Sequence, residues 1–165
     1  GGSKLELDTK AKTIGQSVAV SYFKKAGEGP VKVTPVARFS PPGLEYLGYV
    51  KKGSTEQVEL GALAESKEVD DAHQCLMPPW EKASDLEFSP GEEPFAFYFK
   101  AHHYTSFTDP ELPTEAKIDH TARVYPVTQF QGRETKNAWL VGFEEAANGD
   151  YQDALFLIEN VKPAD

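Results

Sequence analysis

The sequence predicts an all-β chain, an antiparallel β-sandwich of jelly-roll-like organisation. Three observations point there. Aromatic residues make up 12% of the chain and stand beside 12 prolines and 13 glycines, a mixture of strand formers and turn formers. The apolar runs, at 95–99, 138–143 and 154–158, have the length of strands and fall short of helices. The last two runs flank a short polar loop, as the arms of a hairpin do.

Taken in order, Leu5 and Leu7 alternate with charges, and residues 17–23 (Ser-Val-Ala-Val-Ser-Tyr-Phe) read as a strand. Residues 24–30, with Gly27 and Gly29, read as a turn. Val31, Val33, Val36 and Ala37 mark a second strand. Pro35 removes a backbone donor from it, so it is expected at an edge or bulged. After the turn Ser40-Pro41-Pro42-Gly43, residues 46–50 form a short strand that Lys51-Lys52-Gly53-Ser54 ends. Residues 57–68 read as a strand and a short helix.

Ser89-Pro90-Gly91 turns the chain into the run at 95–99. Alternation there sets Phe95, Phe97 and Phe99 on one face and Ala96 and Tyr98 on the other. Residues 120–127 read as another strand, closed by Gly132. Neither 138–143 nor 154–158 alternates with polar residues, so both are expected to be central strands buried on two faces. The expected core is Phe95, Phe97, Trp139, Leu140, Phe143, Leu155 and Leu157.

A chain of 165 residues is enough for one domain with a real core and short for two. Gly1-Gly2-Ser3 reads as a cloning scar, and 4–165 as a single β-sandwich domain. The net charge of −9 argues against nucleic acid and anionic membrane as partners, since both would be repelled. No apolar stretch approaches membrane-spanning length, so no membrane insertion is expected. The lone Cys75 allows no internal disulfide and is expected to be a free, partly buried thiol beside Leu76 and Met77.

Cys75 with His73 is a weak zinc signal, because a second ligand pair is missing. His102 and His103 are adjacent, so a strand would point them to opposite faces. Neither these histidines nor His120 is assigned a role. No nucleophile elbow, phosphate loop or His-Glu-x-x-His motif occurs, and the chain is read as non-enzymatic.

The loop at 144–153 is the strongest candidate site. Glu144, Glu145, Asn148, Asp150 and Asp153 place up to four carboxylates and an amide oxygen between two strands. Carboxylates so close repel one another unless protonated or bridged by a cation. Ca²⁺ takes six to eight oxygen ligands from a flexible loop, so calcium is the expected cofactor. The predicted ligands are Glu144, Asn148, Asp150 and Asp153. Asp109 joins them if the acidic loop 108–120 folds over the hairpin; that loop is otherwise a solvated acidic segment.

Phe143-Glu144-Glu145, followed by Asn148-Gly149-Asp150-Tyr151-Gln152-Asp153, resembles a C-terminal motif of certain bacterial extracellular calcium-binding β-sandwich domains of unknown function. There the pattern is Phe-Glu-Asp, a short gap, then Asp-x-Asp-Tyr/Phe-Asn-Asp and an apolar strand. Weaker likeness extends to 91–98 and 120–126. Asn148, Glu145 and Gln152 depart from the pattern; each keeps an oxygen but lowers the charge or alters the reach. The resemblance implies an extracellular or cell-surface location and other domains in a larger parent protein. It implies a non-catalytic accessory module, and the partner expected is a polysaccharide or cell-surface glycan. Trp80, Tyr46, Tyr49 and Tyr104 are the aromatics expected to be exposed and to stack on sugar rings. The alternatives are a structural spacer or adhesion domain of a large surface protein and, ranked last, a polysaccharide-active enzyme using paired acids.

Overall fold

A computed structural model describes residues 18–39, 44–63, 74–83, 85–100, 105–109, 111–112, 122–143 and 154–164. The side chains of Phe39, Gln74 and Cys75 lie outside that description. The described residues contain twelve strands and no helix, so no helix among them is long and apolar enough to cross a membrane. The strands are β1 (Phe23–Lys25), β2 (Val31–Phe39), β3 (Glu45–Lys51), β4 (Val58–Leu63), β5 (Gln74–Leu76), β6 (Leu86–Phe88), β7 (Phe95–Lys100), β8 (Thr105–Phe107), β9 (Ala122–Phe130), β10 (Arg133–Phe143), β11 (Ala154–Glu159) and β12 (Val161–Pro163).

They form two antiparallel sheets packed as a sandwich. The first runs β12-β1-β7-β3-β4, with β8 also on β7. The second runs β5-β2-β11-β10-β9, with β6 also on β2. The chain passes back and forth between them.

The hairpin β10–β11 occupies the interior of the second sheet, pairing in register from Ala138↔Glu159 to Phe143↔Ala154. Both faces of it are buried, and side-chain parity sorts them. Val141, Phe143, Ala154, Phe156 and Ile158 point into the space between the sheets. Ala138, Leu140, Leu155 and Leu157 point the other way, into a second apolar cluster with Val36, Val127 and Phe130. The unbroken apolar runs are therefore strands with two covered faces. The expected core residues are buried, except that Trp139 is only partly so and donates its indole N–H to the Val161 carbonyl at 3.2 Å. They divide between two clusters rather than sharing one.

On β7 the expected alternation holds. Phe95, Phe97 and Phe99 face the inter-sheet core, and Tyr98 lies on the opposite face with Val50 and Phe107. Rings interlock along the core: Phe95–Phe97 edge-to-face at 5.2 Å, Phe23–Phe97 at 5.7 Å and Phe99–Phe143 stacked at 5.5 Å.

One expectation needs correction. Residues 18–23, the described part of the strand expected at 17–23, are not one strand. Val18 bridges Val124 of the second sheet, whereas Phe23 pairs with Phe95 of the first, so this segment crosses between sheets and its backbone cannot stay in one ladder. Of the two alternatives that Pro35 raised for β2, an edge or a bulge, the second is found, since β2 has neighbours on both sides. The ladder to β11 shifts register between Leu155↔Ala37 and Phe156↔Pro35, a bulge beside the proline. The helix expected within 57–68 falls outside the described residues, as do all four histidines.

A candidate binding groove along β4

β4 is the outer strand of the first sheet, bonded to β3 on one side. Its other side is covered at one end. Leu63 bridges Trp80, and the Glu81 N–H donates to the Ala62 carbonyl at 2.8 Å. Towards Val58 no described residue continues that pairing. Opposite Leu47 and Gly48 the β3–β4 register shifts, leaving Leu60 without a partner in the ladder. Between β4, the Trp80 segment and the start of β3 lies a groove of about 270 Å³, lined by Tyr46, Glu59, Leu60, Trp80, Glu81 and Lys82 among others.

Two glycines of this sheet allow close approaches, one of them, Gly61, on the groove's lining. The Trp80 ring lies against Gly61, where an added Cβ would stand 3.2 Å from Cε3 of the indole. Gly48, on β3, has no room at all for a Cβ. It would run into the Val58 carbonyl oxygen and the Tyr98 ring. Tyr98 therefore lies flat across β3. Its phenol pKa is pushed up to about 12, first by burial and second by the negative charge of Glu59.

A buried ion pair reaches the end of β4 at Leu63. Arg38, on β2, and Glu45, on β3, belong to different sheets and both are wholly buried. Arg38 Nε stands 3.1 Å from Glu45 Oε1, and Nη1 donates to the Leu63 carbonyl at 3.4 Å. Leu63 is the residue that bridges Trp80, so the groove wall rests on the backbone that the guanidinium grips.

Of the four aromatics expected to be exposed, Tyr46 is half-buried and lines the groove. Trp80 lines it too, but is only 7% exposed, because its ring stacks on Phe156 at 6.1 Å. Tyr49 is buried in the inter-sheet core, stacked on Phe88 at 5.2 Å and edge-on to Phe95. Strand parity explains this: Tyr46 and Tyr49, three apart, point to opposite faces of β3. Tyr104 lies outside the described residues.

Of the predicted calcium ligands, Glu144, Asn148, Asp150 and Asp153 lie outside the described residues. The pairing of Phe143 with Ala154 closes the hairpin on either side of them. Asp109 is described and buried. It accepts a hydrogen bond from the Tyr22 hydroxyl, and its Oδ1 accepts the Glu111 N–H at 2.9 Å. These contacts tie it to the first sheet, where Thr108 also bonds Phe97 and Ser21; the hairpin belongs to the second. Among the described residues no three His, Cys, Asp or Glu side chains gather as a metal would require.

Glu59, Lys82 and the Arg38–Glu45 pair escaped the sequence reading. The pair did leave a signal, opposite charges placed on either side of Ser40-Pro41-Pro42-Gly43 at the ends of two strands. Glu59 left none, being one acid among many. Comparison with protein-family models, curated proteins and solved structures finds no match for this chain.

Proposed function

We propose that this domain is a non-catalytic binding module that takes a sugar ring in the β4 groove. The observation that carries the reading is the meeting of Tyr46 and Trp80, distant in sequence, on the lining of one small groove. The half-buried Tyr46 ring offers a face to the C–H side of a sugar and the Trp80 indole forms part of the wall, while Glu59, Glu81 and Lys82 offer acceptors and a donor for hydroxyl groups. The volume of about 270 Å³ suits one ring better than a long chain buried along its length. As parts of the same proposal, the domain is extracellular, belongs to a larger surface protein, and carries calcium in the 144–153 loop. The last rests on the density of acids between paired strand ends.

A glycan array screened with and without calcium tests the reading. Binding to a defined saccharide that Tyr46→Ala abolishes, with the melting temperature unchanged, supports it. An array blank in both conditions would leave the spacer reading in its place.

A further inference from the structure

We propose that the groove selects a saccharide bearing a free amino group, with the ammonium held by Glu59 and Glu81. The inference rests on the sugar-binding reading and adds the class of ligand.

The charges on the lining favour it. Glu59 and Glu81 are both exposed, and among the described lining residues Lys82 is the cation beside them. The carboxylate charge of Glu59 also reaches across the outer face of the sheet to Tyr98. An acidic lining on a chain of net charge −9 repels uronates and sulfated sugars and attracts a cation. The hydroxyls of a neutral sugar also donate charge-assisted hydrogen bonds to these carboxylates, but an ammonium brings the opposite charge as well, so each contact gains a Coulombic attraction that a hydroxyl lacks.

A lysine side chain of a bound peptide carries the same cation, but the groove suits it less. An extended peptide binds a sheet edge by continuing the ladder. Here the ladder side of β4 is already used by Glu81 at Ala62, and the irregularity at Leu60 breaks the regular spacing beyond it. What remains is a pocket for a compact group.

The test uses Trp80 as its own reporter. The chain has two tryptophans, so Trp139→Phe leaves Trp80 as the single emitter in the groove. That protein is titrated with glucosamine oligomers, with their N-acetylated counterparts and with oligogalacturonate. The expected result is that glucosamine oligomers change the Trp80 emission, that acetylation weakens them roughly tenfold or more, and that oligogalacturonate has no effect. Glu59→Gln and Glu81→Gln should each weaken the glucosamine titration by a similar factor. Glu92→Gln, an exposed acid away from the groove, should not, which separates the site from general attraction to an acidic protein.

Equal binding of acetylated and free oligomers, lost in Tyr46→Ala, would overturn the amine preference and leave the sugar-binding reading standing. No response to any saccharide would remove both. An oligolysine peptide that binds more tightly than the glucosamine oligomer, and loses that binding in Glu59→Gln, would overturn the saccharide assignment in favour of a basic peptide.

Discussion

Arg38 and Glu45 bridge the two sheets with their charges wholly buried, Nε to Oε1 at 3.1 Å, and the Leu63 carbonyl as a further acceptor. Removing one partner strands the other charge in the core, whereas removing both leaves only a packing problem. Arg38→Met or Glu45→Leu alone should cost about 3–5 kcal/mol in chemical denaturation. The double variant should lie much nearer wild type. Single losses that simply add in the double would show that the pair is not energetically coupled.

Gly48 admits no side chain, because the Val58 carbonyl and the Tyr98 ring occupy the space. Gly48→Ala should cost about 1–3 kcal/mol or prevent folding. Tyr98→Ala in the same chain should restore little, since the Val58 oxygen is backbone and cannot step aside. A melting curve for Gly48→Ala that overlays wild type would refute the close approach of β3 and β4 there.

Phe97 is wholly buried and meets the rings of Phe23, Phe88 and Phe95. Phe97→Ala should cost about 3–5 kcal/mol. Tyr49→Ala belongs to the same class of loss, because its ring packs on Phe88 and Phe95 and not on a ligand. Thermal melts distinguish the two assignments: a role confined to ligand binding would leave the unliganded melting temperature of Tyr49→Ala untouched.

The raised Tyr98 phenol makes the fold sensitive to alkali. Its pKa is about 12 when folded, against the ordinary phenol value of 10.0. Between those values the unfolded chain has lost this proton and the native one retains it, so stability falls as pH rises. The contribution is full below about pH 10 and is lost by about pH 12, at most roughly 2–3 kcal/mol. Tyr98→Phe should flatten this part of the stability profile. Glu59→Gln should move the native phenol titration, followed by ultraviolet absorbance, towards lower pH, because it removes the negative charge that disfavours the phenolate.

Calcium in the 144–153 loop should add a modest increment. Extracellular calcium modules bind at ~10⁻⁴–10⁻³ M, so millimolar calcium stabilises by about 1–2 kcal/mol. The melting temperature should then rise by roughly 2–6 °C. Asp150→Ala or Asp153→Ala should remove the rise and Asp70→Ala should keep it. Identical melts of metal-stripped protein in calcium and in chelator would exclude the site.

The sandwich was legible because its signals are local. Ring alternation at 95–99 and the apolar runs at 138–143 and 154–158 each specify a strand and its burial without knowledge of neighbours. The short strands β5, β6, β8 and β12 were not legible. Each has three residues and exists because a partner ladder holds it. The groove is a tertiary product. Tyr46 and Trp80 could be named as aromatics, but their relation depends on the bridge from Leu63 to Trp80. Tyr49 was misjudged as exposed because the parity of β3 could not be fixed from Tyr46 alone.

The pairing of β1 with β12 has a mechanical consequence. Phe23 lies opposite Pro163, and the Ala164 N–H donates to the Tyr22 carbonyl, so the segment entering β1 and the segment leaving β12 emerge at the same end of their ladder. Tension applied through these two segments first meets the Val18–Val124 bridge and then loads the β1–β12 hydrogen bonds one after another, from Tyr22 inwards, rather than all at once. The ladder is short and would unzip at low force. The hairpin of β10 and β11 bears no direct load until that zipper has opened. A force-extension trace should therefore show an early, small yield at the terminal pair ahead of the main rupture of the two sheets.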